Sequence, residues 1–394
     1  MRALGLMSGT SLDGVSAALV ELTPRESGYL IEIVRFQTIS FEPEFRARLL
    51  DEIVAPHQPS PAALAQTDRE LGLRFAAVAL EVSQDRRPDF VANHGLTVFH
   101  DGLAHRTMQL GDPYLIRDAV EASVIFDFRR ADCAAGGQGA PLVPFVDTLL
   151  FASANVDTIC LNLGGIANLT IIPRGATPQG VSAWDCGPGN VLIDAFVRLR
   201  TRGREQFDKG GMHAIAGRVD RTLLSRLLKN PYFATAPPKS TGREHFGAAL
   251  LGRYARSLAK LSLEDGCATF AALSVEAIAL SIERWGPAEA RVIVSGGGVH
   301  NKSLLAGIAV RLGRGYVVRP SEDAGIDAGA KEALAFAILG YETLRGRAAG
   351  MPAVTGARHA AVLGAIAPFE LAALLAKVER ELAEPLAELE DDSA

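Results

Sequence analysis

Two stretches of the chain share one pattern, and that pattern limits the folds open to it. Residues 3–22 read as a strand, a turn at Ser8–Gly14 and a second strand Val15–Leu22, while DTICLNLGGIANLTII at 157–172 reads as strands Asp157–Leu163 and Asn168–Ile172 around Gly164 and Gly165. Apolar and β-branched runs on either side of Gly, Ser, Thr, Asn and Asp define a glycine-rich hairpin. Two such hairpins in 394 residues predict two lobes of related plan. Between them, helical spacing at Ala47–Val54, Asp68–Ser83 and Pro113–Glu121 alternates with buried strands at Phe90–Asn93 and Ser123–Asp127, so the class is α/β. The Gly- and Pro-rich stretch AAGGQGAPLVP (134–144) reads as the crossover. It divides the chain into an N-terminal lobe, 1–138, with the first hairpin, and a C-terminal lobe, 139–394, with the second; the last helices are candidates to pack back on the first lobe.

The second lobe continues with helical spacing at Val191–Arg202, Thr222–Leu228, Ala248–Lys260 and Phe270–Trp285. A strand running into three glycines, ARVIVSGGG, then precedes further helices, among them Ala328–Arg345 and the tail after Phe369, whose last residues EDDSA read as frayed. Charge is spread along the chain with a net value of −5, which gives no electrostatic reason for nucleic acid or an anionic membrane as partner. Cys133, Cys160, Cys186 and Cys267 form no C-x-x-C pair, so neither a zinc site nor a disulfide framework is expected and a reducing cytoplasm fits. No signal peptide and no membrane span are read from the apolar runs.

Chemistry on a nucleotide needs backbone N–H groups aimed at phosphate oxygens, and glycine permits the close approach. Three loops qualify: Gly9–Gly14 (GTSLDG), Gly164–Asn168 (GGIAN) and Gly296–Gly298 (GGG). None matches G-x-x-x-x-G-K-[ST], and none is a G-x-G-x-x-G that opens a βαβ unit, so the Walker and Rossmann readings fall. Any one loop alone has a plain explanation as a turn. The order of all three, two hairpins and then strand-GGG-helix, resembles the actin-like, sugar-kinase superfamily.

GLMSGTSLDG (5–14) is similar to the opening signature of the anhydro-N-acetylmuramic acid kinases. Further matches follow in order: HGLTVFH (94–100), QLGDP (109–113), DFRRAD (127–132), AAGGQGAPLVP (134–144), NLGGIANLT (162–170), WDCGPGN (184–190), NPYFATAPPKSTGRE (230–244), SGGG (295–298) and VTGARHAAVLGAI (354–366). The resemblance implies a two-lobed actin-like ATPase (sugar kinase) fold with an interlobe cleft. It implies an enzyme that opens the 1,6-anhydro bridge of anhydro-N-acetylmuramic acid with water and phosphorylates O6 from ATP, in peptidoglycan recycling. It also implies a Mg2+ requirement, with metal ligands left unassigned, and a homodimer. The chain departs from the family pattern at Ser16, Leu96, Cys186 and Gly210. Rival readings are a kinase for another anhydrosugar, such as levoglucosan, and a non-catalytic nucleotide-binding switch.

Through the same resemblance Asp185 takes the role of catalytic base; on the residues alone an ordinary carboxylate near a helix start is the preferred reading. The first phosphate loop is Gly9, Thr10, Ser11, Leu12, Asp13, Gly14, Val15 and Ser16, with Asp13 an outer-shell magnesium partner. Gly164, Gly165 and Asn168 form the second phosphate loop, and Gly296, Gly297 and Gly298 the adenosine turn. The substrate carries a lactyl carboxylate, which suits a guanidinium from Arg129 or Arg130; Arg130 is preferred, against a surface ion pair with Asp127 or Asp132. Thr97 is a candidate pocket hydroxyl, His94 reads as structural, and Glu332 is weighed between sugar pocket and solvated helix face. Lys239, Ser240 and Thr241 read equally as phosphate binders or as a basic surface loop and are set aside.

Overall fold

Strand pairing sorts the apolar runs into two sheets in a computed structural model that describes residues 1–9, 12–25, 28–54, 59–242 and 244–383. The first six strands are β1 (Arg2–Ser8), β2 (Gly14–Pro24), β3 (Tyr29–Ser40), β4 (Phe90–Asp101), β5 (Arg106–Leu110) and β6 (Ser123–Phe126). They are followed by β7 (Thr158–Leu163), β8 (Ile166–Ile172), β9 (Ser182–Pro188), β10 (Ala290–Ser295), β11 (Tyr316–Pro320) and β12 (Ala365–Ala367). Contacts divide the chain into unit 1, Met1–Leu150 with the residues from Ala330 onward, and unit 2, Phe151–Gly329.

In unit 1 the strand order is β12-β6-β4-β1-β2-β3, with β5 paired to the far end of β4. Alternation along β1 sends Leu4 and Leu6 to one face, where they join Leu71 and Phe75 of the helix Pro61–Ser83. That helix starts where Ser60 accepts a hydrogen bond from Ala63 N at 3.1 Å and Pro61 presets its first turn. Gly5 points to the opposite face, against the helix Lys331–Leu344, where a Cβ would lie 1.9 Å from Ala333 O. Gly340 of the same helix meets Ala92 of β4 in the same way. Small residues therefore let this helix lie directly on the sheet.

The Gly- and Pro-rich stretch at 134–144 is tied within unit 1. Asp132, fully buried, accepts from Gly139 N at 2.8 Å and from Thr355 Oγ1 at 2.8 Å, and Gln138 N donates to Thr355 O at 2.9 Å. The unit division by contact falls between Leu150 and Phe151, where composition places it between 138 and 139.

Unit 2 is built on the sheet β11-β10-β7-β8-β9, parallel from β11 to β7 and antiparallel from β7 to β9. Its core is crossed by the helix Leu263–Trp285, capped by Ser262, whose Oγ accepts from Asp265 N at 3.0 Å. The spacing predicts no membrane-length segment, yet this helix is long and apolar enough for one. With 78% of its most apolar window buried, it is the central helix of unit 2. The expected helix at 248–260 is two pieces, Ala248–Arg253 and Ala255–Leu258, which meet at Tyr254.

Glycine packing under the helix Lys331–Leu344 is testable. Gly5→Ala should destabilise unit 1 by about 1–3 kcal/mol or more, because the new methyl meets backbone that cannot yield. Gly252→Ala, where a Cβ meets nothing within 4 Å, should be neutral or gain up to about 1 kcal/mol. Urea denaturation of both variants checks the contrast.

Candidate active site

Registered strands carry their side chains in rows, and one row in unit 2 is polar throughout. Ser295 of β10 pairs with Asn162 of β7, Asn162 with Asn168 of β8, and Asn168 with Asp185 of β9. Partners directly opposite in a sheet share a face, so these four side chains line up on one side, at the sheet end where the glycine turns lie. A bulge between Ala167 and Asn168 brings Asp185 into the row and leaves Cys186 as the extra residue, buried, with its thiol pushed up to about 12 by that burial.

The turns interlock through their backbones. Gly189 N donates to Gly165 O at 2.8 Å and Asn190 N to Gly164 O at 2.9 Å. A Cβ on Gly189 would lie 2.3 Å from Gly164 O, one on Gly296 2.3 Å from Asn162 Oδ1, and one on Gly298 2.6 Å from Asn190 Nδ2. Only Gly297 of the triplet is exposed and meets nothing within 4 Å. Gly164, Gly165, Asn168, Asp185 and Gly296–Gly298 are thus brought together at one end of one sheet.

Asp185 is held from its outer side. Its N–H donates to Lys239 O at 3.1 Å, its Oδ2 accepts from Thr241 N at 2.8 Å, and Tyr232 Oη donates to its carbonyl at 2.8 Å. Oδ1 has no hydrogen-bond partner among the described residues. Burial raises the carboxyl to about 6; the Thr241 N–H and Lys239 pull it down, and Glu244 adds to the rise. A half-buried carboxylate with one oxygen fixed and one free, titrating near neutrality, is the arrangement of a general base. Lys239 and Thr241 of the set-aside loop, with Tyr232, supply that setting; the signal was their place inside NPYFATAPPKSTGRE.

In unit 1 the two arginines part company. The strand ends at Phe126 and both lie on the helix Phe128–Ala134, so they do not alternate as strand residues would. Arg130 is exposed and bonded to Asp127. Arg129 is held by uncharged groups: Nε donates to His94 Nε2 at 3.0 Å and Nη1 to Gly139 O at 2.8 Å. His94 therefore accepts at Nε2 and donates from Nδ1 to Gly95 O at 3.0 Å. Burial first, and then the Arg129 charge, keep this imidazole well below its ordinary pKa, and its ring lies 4.4 Å from that of Phe336. Burial also lowers Arg129 to about 10 and raises Glu332, on which Lys331 and Arg129 act in the opposite sense. Thr97 accepts from Gln109 across the β4–β5 pair at 3.2 Å, and Leu96 is fully buried in the unit 1 core.

The first glycine turn is anchored by core packing. Gly9 O accepts from Leu12 N at 3.0 Å, Leu12 adopts φ 55° with its side chain buried, and Val15 is buried as well. Asp13 is exposed and paired with Arg46 at 2.8 Å. A Cβ at Gly14 would lie 2.1 Å from Ile39 O, so the β2–β3 pairing itself demands glycine there. Ser16 lies 2.9 Å from Thr38 Oγ1 within that pair, and Gly210 adopts φ 67°, where a Cβ would lie 3.8 Å from Met212 Cγ. Thr10 and Ser11 lie outside the described residues.

Comparison with known proteins gives one consistent result. The profile of the family described as anhydro-N-acetylmuramic acid kinase matches residues 1–369. A protein of that name from Acidithiobacillus ferrooxidans is 41% identical over 372 residues, covering 93% of this chain and 92% of its own length. One from Xanthomonas oryzae pv. oryzae is 42% identical over 372 residues, covering 93% and 97%. Among solved structures, a ROK family glucokinase from Streptomyces griseus in complex with glucose and AMPPNP is similar at 14% identity and a TM-score of 0.39, over 86% of this chain and 99% of that one.

The Asp185 setting predicts a pH-dependent stability. Between about pH 4 and 6 the folded chain retains a proton that the unfolded chain has lost, so stability falls as pH rises through this window. Asp185→Asn, which cannot ionise, should match the wild type below pH 4 and exceed it by about 1–3 kcal/mol at pH 7.5. Denaturant unfolding at the two pH values checks the sign; a variant equally or less stable at pH 7.5 would show an unburdened carboxylate.

Proposed function

The chain belongs to the anhydro-N-acetylmuramic acid kinase family, and from that premise we propose that Asp185 is the base of its reaction. The enzyme is a kinase that hydrolyses the 1,6-anhydro bridge of anhydro-N-acetylmuramic acid and phosphorylates O6 with ATP, giving N-acetylmuramic acid 6-phosphate and ADP in peptidoglycan recycling. Relatives of that name at 36–42% identity disfavour the levoglucosan kinase and the non-catalytic switch. The actin-like sugar-kinase class goes with that membership.

The observation that carries the proposal is the carboxylate itself, with Oδ2 fixed by Thr241 N and Oδ1 without a hydrogen-bond partner among the described residues. Water attacks the anomeric carbon and gives its proton to Asp185. The bond from that carbon to O6 breaks with its electron pair on O6, and O6 attacks the γ-phosphorus as ADP leaves. Positioning and neutralisation of charge supply most of the remaining catalysis. The turn at Gly9–Gly14, running on to Val15 and Ser16, is the first phosphate loop in this reading, with Gly164, Gly165 and Asn168 the second and Gly296–Gly298 the adenosine turn. The open space at Gly297 and the exposure of Gly165 support these roles.

Among the described residues no group of three or more His, Cys, Asp or Glu is arranged to hold a metal. Mg2+ needs no such group, since it binds largely through phosphates and waters with one or two carboxylates. Asp13, exposed at the first turn, is its water-mediated partner in this reading, and the ion when bound neutralises phosphate charge. The sugar contacts assigned are Thr97, Arg129, Arg130 and Glu332. The geometry favours Arg129 over Arg130 for the lactyl carboxylate, the reverse of the order that the sequence suggests, because the hydrogen bonds of Arg129 go to the uncharged His94 ring and Gly139 carbonyl, with Glu332 and Asp132 acting on it through their charge, while Arg130 is bonded to Asp127. The cytoplasm is the compartment and a homodimer the assembly in this reading.

Asp185→Asn should keep both ligand affinities and lower turnover by about 10²–10⁴. In oxygen-18 water the wild type should place the label on the anomeric hydroxyl and none in the phosphate ester. Near wild-type turnover of the variant, or label in phosphate, removes Asp185 from this role.

Arg129→Ala should weaken anhydro-N-acetylmuramic acid by about 2–5 kcal/mol and the analogue without a lactyl group far less. Arg130→Ala should cost under about 1 kcal/mol on either sugar. Calorimetric titration of both sugars separates the two arginines; equal losses on both sugars would assign Arg129 to structure.

A further inference from the structure

The segment that fixes Asp185 has an anchor of its own. Lys239 O and Thr241 N make its two backbone bonds to Asp185, on the outer side of β9, which is the edge strand of the unit 2 sheet. Two such bonds on an edge do not by themselves hold a loop that follows Pro237 and Pro238 and runs into Gly242. The Lys239 side chain turns back under the loop. Its Nζ lies 4.7 Å from the ring centroid of Tyr232 and 4.4 Å from that of Trp285, and donates to Tyr232 O at 3.4 Å. Tyr232 in turn donates to the carbonyl of Asp185 at 2.8 Å, and Trp285 ends the central helix of the unit. The ammonium is therefore a peg between the sheet edge, the short helix Pro231–Ala234 and the end of the helix Leu263–Trp285. Two aromatic faces hold a cation far better than any neutral chain of that length.

We propose that Lys239 is a positioning residue for the reaction: its ammonium, clamped between Tyr232 and Trp285, holds residues 239–241 on β9 so that Thr241 N–H fixes one oxygen of Asp185 and leaves the other for water. The same cation adds positive charge beside the base. Among the described residues, the charged and titratable groups around it are Glu244 and His245 on the loop, Tyr232 on the short helix, Asp185 and Cys186 on β9 and Arg284 on the long helix. Burial keeps the Tyr232 hydroxyl and the Cys186 thiol protonated, so among the described residues Lys239 and Glu244 are the opposing charges that act on Asp185. The inference rests on Asp185 as base, and its test separates the two.

The test uses the full chain with 13C-labelled aspartate carboxyls, Asp185 being assigned by its loss in Asp185→Asn. Lys239→Met should lower kcat by roughly 10- to 100-fold, the scale of a misplaced catalytic group, with little change in KM for either substrate. The Asp185 carboxyl should titrate at higher pH in that variant, and the acid limb of the rate profile should move with it. Lys239→Arg should restore most of the rate, because a guanidinium also stacks on both rings. Trp285→Leu, which removes one wall only, should give a smaller fall and serves if Lys239→Met does not fold. An unmoved carboxyl titration with wild-type kcat, or a Lys239→Arg variant as impaired as Lys239→Met, overturns the proposal. Turnover by Asp185→Asn would defeat the base assignment instead, and the carboxyl titration would still decide whether Lys239 governs the Asp185 setting.

Discussion

Contact of backbone on backbone at the glycine turns of unit 2 sets the position of everything chemical around it. The carbonyls of Gly164 and Gly165 receive the N–H groups of Asn190 and Gly189, so the β7–β8 turn is bonded to the chain leaving β9. With Asn162 and Asn190 packed against Gly296 and Gly298, the third loop joins the same block. No side chain intervenes between the β7–β8 turn and the chain leaving β9, and only the short amides of Asn162 and Asn190 stand between them and the third loop, so the spacing has little freedom to drift. The proposed role of Asp185 draws on this rigidity, since a base must be held to within a fraction of an ångström while a water and a sugar come to it.

Asp185 shows how such a block tunes acidity. Burial favours the protonated form, and a single backbone N–H plus a cation at some distance pull the other way. Had the carboxylate accepted several N–H bonds, it would be a poor proton acceptor. Had it accepted none, burial would hold it protonated to a higher pH. One fixed oxygen is a compromise between orientation and basicity, and the loop at 239–241 is the element that sets it.

The local elements were legible in the sequence wherever glycine interrupts β-branched runs or a cap precedes an apolar period. Both hairpins and the long helices follow that rule. β3 was not read, because Tyr29–Ser40 is a half-exposed strand whose pattern gains meaning only when paired with β2. β4 extends to Asp101, beyond its apolar start, because its polar second half pairs with β5. The tie between Asp132 and Thr355 joins residues far apart in sequence, so the surroundings of the Gly- and Pro-rich stretch were invisible to composition. The candidate base stood out through its motif, whereas the unlike surroundings of Arg129 and Arg130 depend on one turn of helix where a strand was conceivable. Lys239 was indistinguishable from a surface lysine, because its rings come from residues 232 and 285.

β9 is the last strand of its sheet, and an open sheet edge is a template on which a second chain can add. The loop that orients Asp185 also occupies part of that edge through the Asp185 N–H to Lys239 O bond. In the proposed mechanism, solubility and catalysis are therefore coupled through one short segment. Substitutions that loosen it expose a pairing edge beside apolar strand residues, so an enzyme losing activity by this route would also tend to aggregate, even where its overall folding stability is intact.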